Sequence, residues 1–581
     1  MVLTIFLALG AWRISRKRVL TRRMAAVETL GKTTVLCVDK TGTLTQNRMT
    51  LKHVIAGGHA AVIAPETNWI PDELHALLEH AVLASARDAF DPMERALHAT
   101  ADRVLGQTEH LHPNYGLVRA YPLSPALAAV TQAWQSEQDT DVIIASKGAP
   151  EAIAQLCHMT AKQRDEMLVQ VATLASDGLR VLGVARGTMG KDQLPAAHGG
   201  LALEFLGLLG FEDPLRPTVP AAVAECRTAG IRVIMITGDY ALTAQSIARQ
   251  AGLANYENVI TGFDLESISD EDLATRAKGV GVFARVLPEQ KLRIVKALKA
   301  NQEIVAMTGD GVNDAPALKT AHIGIAMGGR GTDVAREAAD LVLLDDDFAS
   351  IVVAIRLGRR IFDNIRKAIA FTFAVHVPIA GLSILPVFFA GWPLLLLPTH
   401  IVFLELIIDP SCSLVFEAEE AEADVMKRPP RGRKDRLFSL HTVGFAVLQG
   451  LSVLAICVAV FLFAHRSHAP EAARALTFVA LVTAFLVVLL ANRSSILTIV
   501  EGFRAPNTAL WFVLGGTVGI LALVLLFPFA QRLFHFAPIH AGDLLLSIAA
   551  GLACTLWFEA LKLGKRWTAA HPARRAATAT P

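Results

Sequence analysis

The sequence predicts an α/β chain joined to an all-α membrane bundle: a Rossmann-like parallel sheet interrupted by an inserted α+β domain, then six transmembrane helices. Three observations carry this reading. Short apolar runs alternate with helical patterns from Gly31 to about Asp347, that rhythm breaks between Thr50 and about Ala202, and long apolar runs dominate from Ile369 onward. Strands alternating with helices imply a parallel sheet covered on both faces, while runs of about 20 apolar residues can cross a hydrocarbon core of about 30 Å.

A chain of 581 residues is too long for one core, and its formal charge of +2 argues against a dedicated nucleic-acid surface. The six cysteines (37, 157, 226, 412, 457 and 554) are scattered with no CxxC, which reads as reduced thiols and not as a disulfide framework or zinc site. Cys37 reads as core filling. The opening MVLTIFLALGAW is too short to cross a bilayer and is followed by RISRKR, the reverse of a signal peptide's charge order. Residues 1–30 therefore read as the cytoplasmic end of a membrane helix, whose beginning is absent, and a stalk.

The strand candidates of the parallel sheet are TTVLCV (33–38), LEFLGLLG (203–210), IRVIMI (231–236), EIVAMT (303–308), HIGIAM (322–327) and LVLL (341–344). Four strand ends carry pointed chemistry: Asp39 in VDKTGT, Asp213 in EDPLRP, Thr237 to Asp239 in ITGD, and Asp310 with Asp314 in MTGDGVNDAP. One such end is an ordinary turn. Four on one sheet are expected to converge on one crevice at its carboxyl edge, where open α/β sheets bind ligands.

These residue types suit phosphoryl transfer from ATP, which needs a nucleophile, Mg²⁺ and donors for the equatorial oxygens. Asp39 can supply a carboxylate nucleophile. Asp310 and Asp314 offer hard oxygen ligands for Mg²⁺. Lys291 in PEQK, Thr237, and the amides around Gly42 and Gly238 can hold the phosphoryl group. A hydrolase would want a second acid two residues after its nucleophile, to handle the leaving group and then water. That position is Thr41, so an aspartyl phosphate on Asp39 is expected to persist.

The motifs DKTGTLTQN (39–47), KGAPE (147–151), DPLRP (213–217), TGDY (237–240), FARVLPEQK (283–291) and MTGDGVNDAPALK (307–319) together resemble the P-type cation-transporting ATPases. The resemblance implies a phosphorylation domain at 31–50 and 203–350, with a nucleotide-binding domain inserted at 51–202. It implies a six-helix transmembrane domain at 366–566 and a cytoplasmic tail at 567–581. It makes Asp39 the phosphorylated residue and assigns Mg²⁺ to Asp310 and the Thr41 carbonyl, with Asp39 and Asp314 beside them. Lys291 and Thr237 would hold the phosphoryl group. Glu94, Lys147, Gly148 and Arg180 sit where the family contacts ATP. Gly238, Asp239, Arg285 and Asn313 fall within the matched motifs and join that nucleotide and phosphate set. Where relatives carry an aromatic and a basic residue for adenine and phosphates, this chain has Leu123 and Ala128. The family's actuator domain carries a TGE motif, and no TGE occurs in these residues. The resemblance thus covers roughly the second two-thirds of a pump: a truncated gene model, a degraded gene, or half of a split enzyme whose partner is an actuator-bearing fragment.

Six spans are expected at about 368–390, 394–416, 442–464, 474–491, 508–528 and 543–561. Arg359, Arg360, Arg366 and Lys367 precede the first. The run KRPPRGRKDR (427–436) follows the second, and Lys562, Lys565 and Arg566 follow the last. The positive-inside rule puts all three clusters, and the globular part, in the cytoplasm, and the bilayer is most simply the cell membrane. FLELIIDPSCS places Glu405 and Asp409 one helical turn apart, and ionisable residues at membrane depth mark function. Pro410 is expected to break the helix and free carbonyls, and His376 in HVPIAG on the preceding span is a further candidate ligand. Both carboxylates are expected to face the bundle interior. Oxygen ligands favour a hard cation: Ca²⁺, Mn²⁺, Mg²⁺ or H⁺. Two rival readings stay open: a membrane-anchored haloacid-dehalogenase-like phosphatase, and a non-catalytic remnant or binding subunit.

Overall fold

The structure is a computed structural model that describes residues 2–124, 127–136, 141–389, 391–432, 439–494 and 497–570. The chain forms two compact units, one of residues 18–22 and 33–352, the other of residues 1–17, 23–32 and 353–581.

The first unit is organised by two sheets. An eight-stranded sheet runs in the order Val19–Thr21, Leu341–Leu343, Ile323–Met327, Val305–Gly309, Val35–Asp39, Arg232–Ile236, Val282–Ala284, Val259–Thr261. Only the first pair is antiparallel. Val35–Asp39 is central, and both its neighbours come from later in the chain. Burial on both faces explains its unbroken apolar run: Val35 and Cys37 share one core with Ile234, Phe283 and Met307, and Leu36 and Val38, alternating with them, are also wholly buried. Burial pushes the Cys37 thiol up to about 12, with Arg232 opposing and Glu303 adding to the shift, so it fills the core as expected.

The second sheet has seven strands, all antiparallel, in the order His59–Val62, Thr50–Ala56, Glu204–Glu212, Arg180–Gly190, Asp141–Gly148, Ala129–Gln135, Gly116–Tyr121. Here the sequence reading needs correction. LEFLGLLG belongs to this sheet and not to the parallel one, so the segment interrupting the parallel sheet runs to Glu212. The reason is packing: Leu208 and Leu209 point to opposite faces and enter different buried clusters. A strand covered on both sides loses the alternation that would have marked it as antiparallel.

The other unit is helical. Five described helices are long and apolar enough to cross a membrane: Phe348–Phe388, Leu440–His465, Pro470–Asn492, Thr508–Leu526 and Ala541–Gly564. Pro470–Asn492 is buried along most of its length. Phe348–Phe388 has 41 residues, about 60 Å at 1.5 Å per residue, so its span is embedded in a longer helix than the sequence suggested. The second expected span is not one long helix. Pro398–Pro410 runs into a widened turn, Ser411–Val415, and ends in Phe416–Ala418. Pro410 does not break the helix, which continues into the widened turn, where the Ser411 hydroxyl donates back to Ile407 O and the Ser413 hydroxyl to Asp409 O, each at 2.6 Å. Val2–Ser15, with 14 residues, is short of a span as expected. Residues 433–436 of the basic run, the side chains of Lys565 and Arg566, and tail residues 571–581 lie outside the described residues.

One buried ion pair ties this unit together. Arg493 meets Glu419 through two contacts, Nε to Oε2 at 2.8 Å and Nη2 to Oε1 at 3.1 Å, and also donates to Gly502 O. Asn507 donates to the same carboxylate and to Val415 O. The end of the widened turn, the end of Pro470–Asn492 and the start of Thr508–Leu526 are thereby joined. Removing one partner strands a buried charge, so Glu419→Gln or Arg493→Met should each destabilise by about 3–5 kcal/mol. The pair Glu419→Gln/Arg493→Met should cost less than the sum of the two single changes, which thermal unfolding of the four proteins in detergent would measure.

Candidate active site

Asp39 is the last residue of its strand, and the chain then turns sharply through Lys40–Leu44. Gly42 has φ +68°. The turn is braced from behind. The Thr45 hydroxyl accepts from Gly42 N–H at 3.0 Å and donates to Asp213 at 2.6 Å, while Arg216 donates to Gly42 O at 3.0 Å. The DPLRP segment therefore holds the turn, and buried Asp213 is not among the residues lining the crevice, contrary to the expected convergence of four strand ends. Sequence shows a strand-end acid but not the side of the turn on which it lies.

The remaining ends do meet. Asp39, Thr41, Thr237, Gly238, Lys291, Asp310, Asn313 and Asp314 line one cleft of about 410 Å³. Oxygens of Asp39, Asp310 and Asp314 lie within 4.8 Å of one another. Lys291, in the first turn of Pro288–Ala300, reaches Asp314 Oδ1 at 2.8 Å and Asp39 Oδ2 at 3.8 Å. The other Asp314 oxygen accepts from the N–H groups of Asp310 and Gly311, at 3.2 and 3.1 Å. Asp314 thus positions Lys291 and the Asp310 loop, while Asp310 Oδ2 lies 3.3 Å from Arg330 Nη1. Asp239 forms an ion pair with Lys40 at 2.5 Å, and Lys40 is almost wholly buried. Its carboxylate is engaged with protein, a role that sequence did not suggest.

Burial pushes the Asp39 carboxyl up to about 6. Lys291 draws it back down, and Asp310 and Asp314 raise it further. Burial alone would lower Lys291, but Asp39 and Asp314 outweigh it and hold the ammonium above its ordinary value. The cleft therefore presents a carboxylate that ionises near neutrality beside a firmly charged cation.

A second cleft of about 980 Å³ adjoins the first, and Arg180, Gly238, Asp239 and Val286 line both. Glu94, Lys147, Gly148, Arg285, Leu123 and Ala128 line it too. Lys147 contacts Glu94 at 2.7 Å, and burial lowers the lysine below its ordinary value, with Glu94 opposing. Gly148 is needed by packing as well, since a Cβ there would overlap Ala128 and Ala129 of the adjacent strand. Arg285 pairs with Glu151 at 2.9 Å and lies over the ring of Tyr240. Tyr240 is the aromatic of this cleft that sequence reading passed over, although it directly follows the TGD run.

In the helical unit, His376 Nε2 lies 3.8 Å from Glu405 Oε1. Glu405 is 44% exposed and Asp409 is exposed, so among the described residues this pair does not face a packed interior as expected. Helical spacing put the acids on one face, but which face is covered depends on neighbours that spacing cannot name.

The parallel sheet with Asp39 at the end of its central strand is that of the haloacid dehalogenase-like hydrolases, whose family models match residues 33–322 and 291–355. Residues 393–564 match the cation transporting ATPase C-terminus. A calcium-transporting ATPase of Bacillus subtilis is 35% identical over 94% of this chain and 66% of its own length. The probable cation-transporting ATPase F of Mycobacterium tuberculosis is 39% identical over 79% of this chain and 55% of its own. A calcium-transporting ATPase of Listeria monocytogenes is 34% identical over 95% and 64%. The chain belongs to the P-type cation-transporting ATPases and is an integral, multi-pass membrane protein. It spans 55–66% of the length of these relatives.

The geometry sets a pH dependence for Asp39. Below about 6 its carboxyl is protonated and a poor nucleophile; above that value it is a carboxylate. Any covalent labelling of Asp39 should therefore fall as pH drops from 7 to 5, and added divalent cation should move the midpoint downward. A pH profile of single-turnover labelling at two Mg²⁺ concentrations measures both.

Proposed function

We propose that this chain carries the phosphorylation and cation-binding machinery of an ATP-driven cation pump, with Asp39 accepting the γ-phosphoryl group of ATP. The observation that carries this reading is the meeting of Asp39, Lys291, Asp310 and Asp314 in a cleft continuous with a larger one. In this reading the seven-stranded sheet is the nucleotide domain. The large cleft takes the nucleoside, with Glu94, Lys147, Gly148 and Arg285 at its wall, and Arg180 stands where the two clefts join. Thr237, Gly238, Asp239 and Asn313 frame the phosphates. With Leu123 highly exposed and Ala128 offering no ring, the nucleoside end is weakly gripped.

Three carboxylates within 4.8 Å form a hard-oxygen donor set that fits Mg²⁺, held by Asp310, Asp39 and the Thr41 carbonyl with Asp314 beside them. Bound there, Mg²⁺ would neutralise phosphate charge. Lys291 supplies a fixed positive charge against the transferred group, and Asp314 keeps that ammonium in place. Thr41 has no acid to offer, so the aspartyl phosphate outlives the transfer, which suits energy coupling better than phosphatase work.

We read Pro398–Ala418 as a sixth crossing, since its helix and widened turn run end to end for about 30 Å. We read the basic clusters as orienting the soluble part toward the cytoplasm, and we take the bilayer to be the cell membrane. Glu405, Asp409 and, more weakly, His376 are the transport ligands, completed by an actuator-bearing fragment. Among hard cations, Ca²⁺ comes first, because the Bacillus and Listeria relatives carry calcium in their names.

Incubation with labelled ATP and Mg²⁺, followed by acid quench, should give hydroxylamine-sensitive label that Asp39→Asn abolishes. Label in that mutant would refute the nucleophile. Brisk steady-state phosphate release would favour a phosphatase. For the membrane site, in the presence of that fragment, Glu405→Gln and Asp409→Asn should each lower cation-stimulated labelling at least about tenfold while leaving phosphorylation from inorganic phosphate intact. Unchanged cation dependence in both would move the site elsewhere.

A further inference from the structure

Arg330 is absent from every motif that marked the site, yet its guanidinium touches two of the residues that line it. Nη1 donates to Thr41 O at 2.9 Å and lies 3.3 Å from Asp310 Oδ2. Those are two of the oxygens assigned above to Mg²⁺. Gly42 makes this approach possible, because a Cβ there would overlap the guanidinium.

The base of this side chain is fixed, while two of its three guanidinium nitrogens make no hydrogen bond. Asp346 accepts from the N–H groups of Gly329 and Arg330, at 3.1 and 3.2 Å. Arg336 donates to the carbonyls of Gly328 and Gly331, and Thr332 N–H donates to Asp310 O at 2.8 Å. The loop is thereby locked onto the Asp310 strand end. At the head, by contrast, buried Nε and Nη2 find no hydrogen-bond acceptor. The nearest alternative anion is Asp346, whose Oδ2 is 3.5 Å from Nε.

We propose that Arg330 is a tethered cation that competes with Mg²⁺ for the Asp310–Thr41 oxygens and swings toward Asp346 when the metal binds. Mg²⁺ sits about 2.1 Å from its ligands. A metal on these two oxygens would lie within a few ångströms of Nη1, and two like charges at that range repel strongly in a partly buried site. Arg330 thus serves as counter-charge for the carboxylates when no metal is present and raises the Mg²⁺ concentration needed to fill the site. It acts through the metal ligands and is a positioning residue. The inference rests on the Mg²⁺ reading above.

The test is direct metal binding to the full chain in detergent, without nucleotide. Mn²⁺ is followed by electron paramagnetic resonance and displaced by Mg²⁺, counting only the sites that Asp310→Asn removes. Arg330→Gln should bind about tenfold tighter than the parent, an amount equivalent to losing one screened charge at short range. Arg330→Lys, which keeps the charge on a shorter reach, should fall between them and serves if the glutamine variant does not fold. Without metal, Arg330→Gln should also melt below the parent, and saturating Mg²⁺ should close that gap. A merely structural arginine would leave the gap open and could not tighten binding. Unchanged or weaker metal affinity in both variants, with Asp310-dependent binding intact in the parent, overturns the competition while leaving the metal site standing. If the parent shows no Asp310-dependent binding, the Mg²⁺ reading fails and the inference with it.

Discussion

Three carboxylates gathered at the end of one buried strand set are the constraint on which the soluble unit depends. Ionised and uncompensated, Asp39, Asp310 and Asp314 would repel one another within 4.8 Å. The surrounding structure supplies positive charge at fixed places. Lys291 stands between two of them, Arg330 caps the third, and backbone N–H groups of Asp310 and Gly311 take up one oxygen of Asp314. Lys40 is buried beside the same edge and finds its partner in Asp239. The cluster is held together by partners that each come from a different connection of the parallel sheet.

That arrangement explains why so much of the neighbourhood is bracing and not chemistry. Asp213 and Arg216 fix the turn after Asp39, and Asp346 and Arg336 fix the loop that carries Arg330. Such supports keep catalytic groups oriented before a ligand arrives, when reorganisation would otherwise consume part of the gain. The membrane unit uses the same device differently. Its Arg493–Glu419 pair is buried, bidentate and shared with Asn507, so it specifies how the helix ends meet more than it adds stability.

Much of the site was legible in the sequence because the proposed phosphate chemistry calls for acids, glycines and a lysine, and those residues are conspicuous against apolar runs. Asp39, Lys291, Asp310, Asp314 and Thr237 come together as expected. Arg330 was not legible: an arginine in a glycine-rich loop carries no periodic or motif signal, and its reach into the site depends on the missing Cβ at Gly42. Asp213 was misplaced because an acid before proline reads alike whether it lines a crevice or braces a turn. The strand Glu204–Glu212 went to the wrong sheet because both its faces are buried.

Local sequence by itself determined the classes of element: apolar runs that must be strands or spans, the turn acids, and the pairing of Glu405 with Asp409 on one helical face. These follow from periodicity and side-chain chemistry, which act over a few residues. Only the tertiary structure decided which strands share a sheet, which acids meet, that the Ser411 and Ser413 hydroxyls donate to Ile407 O and Asp409 O, and that Glu405 is only part-buried and Asp409 exposed among the described residues. Those outcomes depend on contacts between segments far apart in the chain, and a residue's own neighbours in sequence carry no information about them.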